Sequence, residues 1–296
     1  MTNHFRHRTK LILALAALIL LIAVGTYYIL ARHQPAKKVA PVALFSSQPS
    51  WRQDFTTAAN GSVDPKIWNT ATPNLPIYNN EQEVYTNRPQ NVRIENGLLV
   101  LEAHAEQYAG KSYTSGRIDT NGLQSFLYGK IEATMKFPKG AGTWPAFWLL
   151  SSTNVYTKRL FPTDKDWANP RFYMHDGELD VAEQVGSNPD NIESTVHTFD
   201  KSDATSKAIP GDPNAFHTYT MSWTPNDLMF AVDGIVYHEY KKTSANPDKW
   251  PFDQPMYLIL NLAMGGKMGG TIDAKTYQAW QLQVKDIAYF PYISNK

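Results

Sequence analysis

Ten residues, Gly177-Glu178-Leu179-Asp180-Val181-Ala182-Glu183-Gln184-Val185-Gly186, set three carboxylates at i, i+2 and i+5. Apolar residues lie between them and a glycine closes each end. On a helix, about 3.6 residues per turn would carry Glu178 and Glu183 well apart. No Lys or Arg stands four residues on to pair with any of the three. The alternation Glu-Leu-Asp-Val reads as a strand with Glu178 and Asp180 on one face. A regular strand would turn Glu183 to the other face, and one extra residue, a β-bulge, would return it. Acids gathered in this way are costly to hold together unless they do chemistry. Glycoside hydrolysis uses such a set, with two carboxyls flanking one bond, about 5–5.5 Å apart when configuration is retained. With the bulge, Glu178 and Glu183 stand roughly 13 Å apart along the backbone, a gap that long side chains leaning together would largely close. Asp180 lies between them, placed to hydrogen-bond either. Spacing alone leaves a purely structural acidic strand equally open.

The elements that must position these acids are strands. Val92–Ile94 and Leu98–Leu101 form a hairpin around Asn96-Gly97. Further strands are expected at 113–120, 128–137, 143–150, 178–185 and 194–199. Segments 217–223, 228–232 and 235–240 read as a meander with turns at 224–227 and Asp233-Gly234. Strands near 256–263 and 280–290 complete the pattern. No amphipathic helix longer than two turns follows residue 50. The class predicted is all-β, an antiparallel sandwich.

Aromatic residues sharpen the picture. In the strand Thr143–Leu150, Trp144, Ala146 and Trp148 share one face and Phe147 and Leu149 the other. All of them could be core. Trp144 also follows the flexible Gly140-Ala141-Gly142, close in sequence to the acids, and indoles stack on sugar rings and donate to hydroxyls. Trp144 and Trp148 are therefore candidate substrate contacts. His197 alternates with apolar neighbours in 194–199, as a structural or a site residue would. No spacing suggests catalytic zinc, and no glycine loop resembles a phosphate cradle. No metal or cofactor is predicted.

The first fifty residues differ in character. Residues 11–30 are twenty uncharged, mostly apolar residues behind Arg6, Arg8 and Lys10. That length spans a bilayer, and the charges hold the N-terminus inside. The expected layout is a basic cytoplasmic tail at 1–10, a transmembrane signal-anchor at 11–30, a linker at 31–50 and one catalytic domain at 51–296. The catalytic domain would then lie outside the cytoplasm, periplasmic or extracellular. A cleaved signal peptide is the rival, and would give a secreted protein. The six basic residues before position 50 have no acidic counterpart. Without them 22 Lys and Arg face 27 Asp and Glu, so the folded part is near −5. That argues against nucleic acid as a partner and suits a neutral polymer. The chain has no cysteine, so an exported domain must rest on its core alone, and a monomer is expected.

Together the motifs resemble glycoside hydrolase family 16 over most of residues 51–292. Glu178-Leu179-Asp180-Val181-Ala182-Glu183 resembles the family's bulged E-x-D-x-x-E motif. Tyr113–Ile118, Tyr128–Glu132, Gly142–Trp148 and Asn261–Gly266 resemble further family blocks, in family order. The resemblance implies a concanavalin-like β-jelly roll of two curved antiparallel sheets, with a cleft on the concave side and a retaining mechanism. It implies that Glu178 is the nucleophile, Asp180 the assisting carboxylate and Glu183 the general acid/base. It makes Asn80 and Arg117 candidate sugar contacts. The bulged motif is most often that of laminarinase-like β-1,3-glucanases, and also of agarases and carrageenases. An endo-β-1,3(4)-glucanase is therefore expected, with a polysaccharide, β-glucan first, as partner. A glucan transglycosylase, a galactan hydrolase and a non-catalytic glucan-binding protein are the alternatives. The sequence departs from the family's pattern in three places. Met268 stands in the family's tryptophan-bearing loop, Leu75-Pro76-Ile77-Tyr78 replaces a glycine-rich block, and Lys285 takes the place of a calcium-binding aspartate.

Overall fold

The computed structural model describes residues 44–293 apart from 77, 163–173 and 277–279. The basic tail, the segment 11–30 expected to span a membrane, and most of the 31–50 linker lie outside the described residues. Among the described residues, no helix is long and apolar enough to cross a membrane.

The described elements are mainly strands. The first are β1 (Trp51–Asp54), β2 (Asn69–Thr70), β3 (Glu83–Tyr85), β4 (Val92–Glu95), β5 (Leu98–Tyr108) and β6 (Lys111–Ser115). Next come β7 (Arg117–Asp119), β8 (Gly129–Lys136), β9 (Thr143–Ser151), β10 (Glu178–Glu183), β11 (Asn191–His197) and β12 (Ser202–Ala208). The last are β13 (His217–Trp223), β14 (Asp227–Val232), β15 (Ile235–Lys241), β16 (Met256–Met264) and β17 (Trp280–Pro291). They build a jelly-roll sandwich of two sheets. The ten-stranded sheet runs β15-β14-β13-β8-β17-β5-β6-β3, with β1 on β17 and β4 on β5. The seven-stranded sheet runs β12-β11-β10-β9-β16-β7-β2.

Alternation puts the core between the sheets. In β8, Ile131, Ala133 and Met135 are buried while Lys130, Glu132, Thr134 and Lys136 are half-exposed. These inward residues, with Leu99, Leu101, Tyr219 and Phe230, meet Phe147, Leu149, Leu179, Val196 and Leu258 of the other sheet in one cluster. Each fully buried side chain of this size contributes about 1.5–3 kcal/mol, so a core this broad holds the domain without disulfides.

Three differences from the sequence reading have physical causes. The segment 113–120 is not one strand. It breaks at Gly116, where a Cβ would lie 2.4 Å from the Asn91 carbonyl oxygen, and the chain passes from the ten-stranded sheet at β6 to the seven-stranded sheet at β7. The strand at 98–101 continues to Tyr108 and turns at Ala109-Gly110, with φ +46° and +80°. That is the conformation of Asn96-Gly97, but without an Asn to announce it. Finally, the end of the expected linker is part of the fold. Phe45 bridges Tyr292, and the Ser46 amide donates to the Pro291 carbonyl at 2.9 Å.

Candidate active site

The core side of β10 explains how its three acids come together. Leu179, Val181 and Ala182 all lie in the core cluster, so two consecutive residues point inward. The pairing with β9 slips between Asp180 and Ala182, and that with β11 between Asp180 and Glu183. This β-bulge leaves Glu178, Asp180 and Glu183 on the outer face of the seven-stranded sheet. The terminal glycines are required by space. Gly177 has φ +75°, and a Cβ on it would lie 2.5 Å from Phe252 Cε1. A Cβ on Gly186 would lie 2.1 Å from the Gly140 carbonyl oxygen.

Neighbouring strands complete the surface. His197 on β11 stands opposite Glu178 in register. Its Nε2 is 3.0 Å from Asp180 Oδ2 and 3.7 Å from Glu178 Oε1. The nearer approach is within ion-pair distance but lacks hydrogen-bond alignment, so Asp180 Oδ2 is buried without a hydrogen-bond partner. On the other side of the ring, His197 Nδ1 is 2.6 Å from Ser202 Oγ. Trp144 on β9 donates its indole N–H to Glu183 Oε1 at 2.8 Å. The residue is only 8% exposed, so its indole forms a wall against the acid. Trp148 is half-buried and donates to Asn261 Oδ1 at 2.7 Å, and Asn261 in turn donates to Tyr85 Oη at 3.0 Å. The Arg117 guanidinium lies 5.0 Å from the Trp148 ring centroid. Asn80 is exposed in a left-handed turn with φ +60°, beside Glu81, which bridges Gly265. The structure thus gathers Glu178, Asp180, Glu183, Arg117, Trp144, Trp148 and His197 on one face, and sets Asn80 on the adjoining loop.

All three carboxyls resist ionisation. Burial first, then the Asp180 charge, pushes Glu178 well above the usual carboxylate range, while His197 and Arg117 pull it back. Burial and Glu193 push Asp180 up to about 8. Burial and Asp180 push Glu183 up to about 8, against the hydrogen bond from Trp144. Groups whose folded pKa is raised stabilise the fold below their unfolded values, 3.8 for Asp and 4.5 for Glu. That stability is lost as pH climbs through the folded values. Glu183→Gln, a neutral mimic of the protonated acid, is expected to melt a few degrees above the wild type at pH 9 and level with it at pH 4. Thermal unfolding across that range checks this. A variant that gains nothing at pH 9 would show that Glu183 ionises there without strain.

Residues 79–282 match the sequence profile of Glycosyl hydrolases family 16. The chain belongs to that family. As a family 16 member it is a glycosidase. It is 34% identical over 257 residues to a β-glucanase of Rhodothermus marinus, covering 82% of this chain and 85% of that protein. It is 31% identical over 261 residues to a glucan endo-1,3-β-glucosidase of Cryptopygus antarcticus, covering 81% and 91%. The crystal structure of a non-specific endo-β-1,3(4)-glucanase from the same family superposes with TM-score 0.74 at 32% identity, covering 87% of this chain and 95% of that one.

Within this family 16 site, some residues escaped the sequence reading. Glu193 stands opposite Glu183 in register and accepts from Ser206 Oγ at 2.7 Å. Its signal was present, since Glu193, Thr195 and His197 alternate, but the strand expected from 194 begins three residues earlier, at Asn191. Glu83 is wholly buried and accepts from the Met264 amide at 2.8 Å. Burial first, and Glu81 beside it, push Glu83 up to about 8. The three-residue β3 that carries it is too short to show a period. Met268 lines a small cavity with Glu183, Ile192, Glu193 and Ser206. Lys285 occupies a bulge of β17 with Nζ 4.1 Å from the Phe216 ring centroid. Glu178, Asp180 and His197 have ligand atoms all within 4.8 Å of one another, His197 coming from the adjacent strand.

Proposed function

We propose that this family 16 chain hydrolyses internal β-1,3 or mixed β-1,3/1,4 bonds of a glucan by double displacement. The observation that carries the reading is the bulge of β10, which sets the buried Asp180 and Glu183 and the half-buried Glu178 side by side on one open face. Glu178 is the nucleophile. The Arg117 and His197 charges favour its ionised form against burial, with His197 Nε2 at 3.7 Å. Glu183 is the general acid and then the base. Asp180, between them, spreads charge and holds His197. The carboxyls titrate as a unit, and the need for an ionised Glu178 beside a protonated Glu183 gives a bell-shaped kcat/KM profile, expected on the mildly acidic to neutral side. Arg117, Trp148 and Asn80 are the sugar contacts. The glucan reading is supported by the relatives' recorded activities, β-glucanase and endo-1,3-β-glucosidase.

The test is reducing-sugar release by the full-length protein from laminarin, lichenan, agarose and carrageenan, with products sized. Release from laminarin and lichenan is expected. Activity confined to the galactans would overturn the substrate, and products longer than the substrate would make the enzyme a transglycosylase.

Trp144 gives a sharper check. Its N–H stabilises the ionised form of Glu183. Trp144→Phe keeps the wall and removes the donor. The alkaline limb of kcat/KM should move to higher pH, with a loss of roughly tenfold, the worth of one charge-assisted hydrogen bond. An unmoved limb would mean that Trp144 acts on the sugar alone.

The anchor belongs to the same proposal. Twenty uncharged residues at 1.5 Å rise make about 30 Å, the depth of the hydrocarbon core. The full-length protein should sediment with membranes, resist high salt and dissolve in detergent, with a monomeric domain outside the cytoplasm. A mature N-terminus near Thr26 would instead make residues 11–30 a cleaved signal.

A further inference from the structure

We propose that Glu178, Asp180 and His197 form a reversible binding site for one borderline divalent cation, with Zn2+ as the reference ion, and that loading it switches the enzyme off.

The geometry comes first. Four ligands arranged tetrahedrally about zinc, each at 2.0–2.2 Å, stand roughly 3.3–3.6 Å from one another. Here the His197 Nε2 to Asp180 Oδ2 separation is 3.0 Å and the Nε2 to Glu178 Oε1 separation is 3.7 Å. The three donor atoms fall within 4.8 Å of one another, so small rotations bring them to one ion. Three protein donors with a fourth position open to the face is the pattern of exchangeable zinc sites.

The second observation is Asp180 Oδ2. Its residue is only 4% exposed, and this oxygen has no aligned hydrogen-bond donor. It points at His197 Nε2 from 3.0 Å. A buried acceptor in that state costs free energy, and a cation held by Oδ2 and Nε2 satisfies it. The third is Ser202. Its Oγ sits 2.6 Å from His197 Nδ1. When Nδ1–H donates there, the Nε2 lone pair faces the carboxylates, which is the tautomer a metal ligand needs. Two carboxylates and a neutral imidazole then balance the charge of a divalent ion. Mixed nitrogen and oxygen donors favour zinc or copper over magnesium or calcium.

The consequence for catalysis rests on the reading of Glu178 as nucleophile. A metal-bound Glu178 has its lone pairs engaged and cannot attack a sugar carbon. Inhibition should therefore be relieved by a chelator, and should weaken as substrate concentration rises.

Calorimetric titration of the full-length protein with ZnCl2 tests the site without any turnover. About one ion per chain should bind, and His197→Gln should weaken binding at least tenfold, on the scale of losing a ligand or its support. Ser202→Ala, which leaves all three donors in place, should weaken it by a smaller factor. Co2+ should give the intense visible absorption of a four-coordinate ion, lost in His197→Gln. Thermal unfolding shows whether each variant is folded, and Asp180→Asn serves where His197→Gln is not. No saturable binding, or equal affinity in wild type and folded His197→Gln, overturns the site. Binding with no glucanase activity on any polymer would leave the site standing and remove the proposed reaction. Full activity unaffected by saturating Zn2+ would overturn the switch.

Discussion

Glu178→Gln is expected to abolish glucan hydrolysis, with kcat down on the order of 10⁴-fold or more, the scale for loss of a nucleophile. The amide matches the carboxyl in size and cannot attack an anomeric carbon. Because burial already drives the Glu178 carboxyl toward its neutral form, the neutral amide should fit without a stability penalty. Thermal unfolding should place the variant at or above the wild type at pH 7. The loss should be the same for polysaccharide and for an aryl glycoside, since both need the same attack. Activity within tenfold of wild type, about 1.4 kcal/mol of barrier, would end the assignment.

Glu183→Gln should behave differently, and the contrast separates the two roles. An alkoxide is a poor leaving group and needs a proton as the bond breaks. Removing the acid should cost on the order of 10²–10⁴-fold on laminarin. A dinitrophenyl β-oligoglucoside leaves without a proton, so its first step should survive. The second step, water attack on the glycosyl-enzyme, still lacks its base. A burst of dinitrophenol followed by slow turnover is therefore expected, and azide, which needs no base, should speed it. Stopped-flow absorbance measures all of this. Equal losses on both substrates would show that Glu183 is not the acid.

The grouping of the three acids was legible from parity, whereas their roles came from the family resemblance. Glu178 and Asp180 are even in position and Glu183 is odd, so only an extra residue could unite them, and the structure provides it by turning both Val181 and Ala182 inward. The two faces of β9 were legible for the same reason. Phe147 and Leu149 are fully buried in the core while Trp144 and Trp148 reach the site. What escaped was carried by segments without a pattern. β12 reads Ser-Asp-Ala-Thr-Ser-Lys-Ala and lies at a sheet edge with alternate residues exposed. An edge strand has too little to bury to show hydrophobic alternation. Ser202, its first residue, was missed with it. Contacts between strands, such as Glu183 opposite Glu193, depend on register, and a sequence does not state which strands are neighbours. Gly116 gave no warning either. Its role is to let the backbone pass close to the Asn91 carbonyl, a partner distant in the chain.

The place of β17 has a consequence for biosynthesis. This strand lies inside the ten-stranded sheet, paired along one edge with β8 and along the other with β5 and β1. Residues 51–54 thus find their partners only at 286–289. A ribosome delivers the N-terminal residues first, so the sheet has a gap through its middle until residue 291 has emerged. Contacts this distant in sequence also form slowly. The ten-stranded sheet therefore cannot close until nearly the whole of the chain has been made.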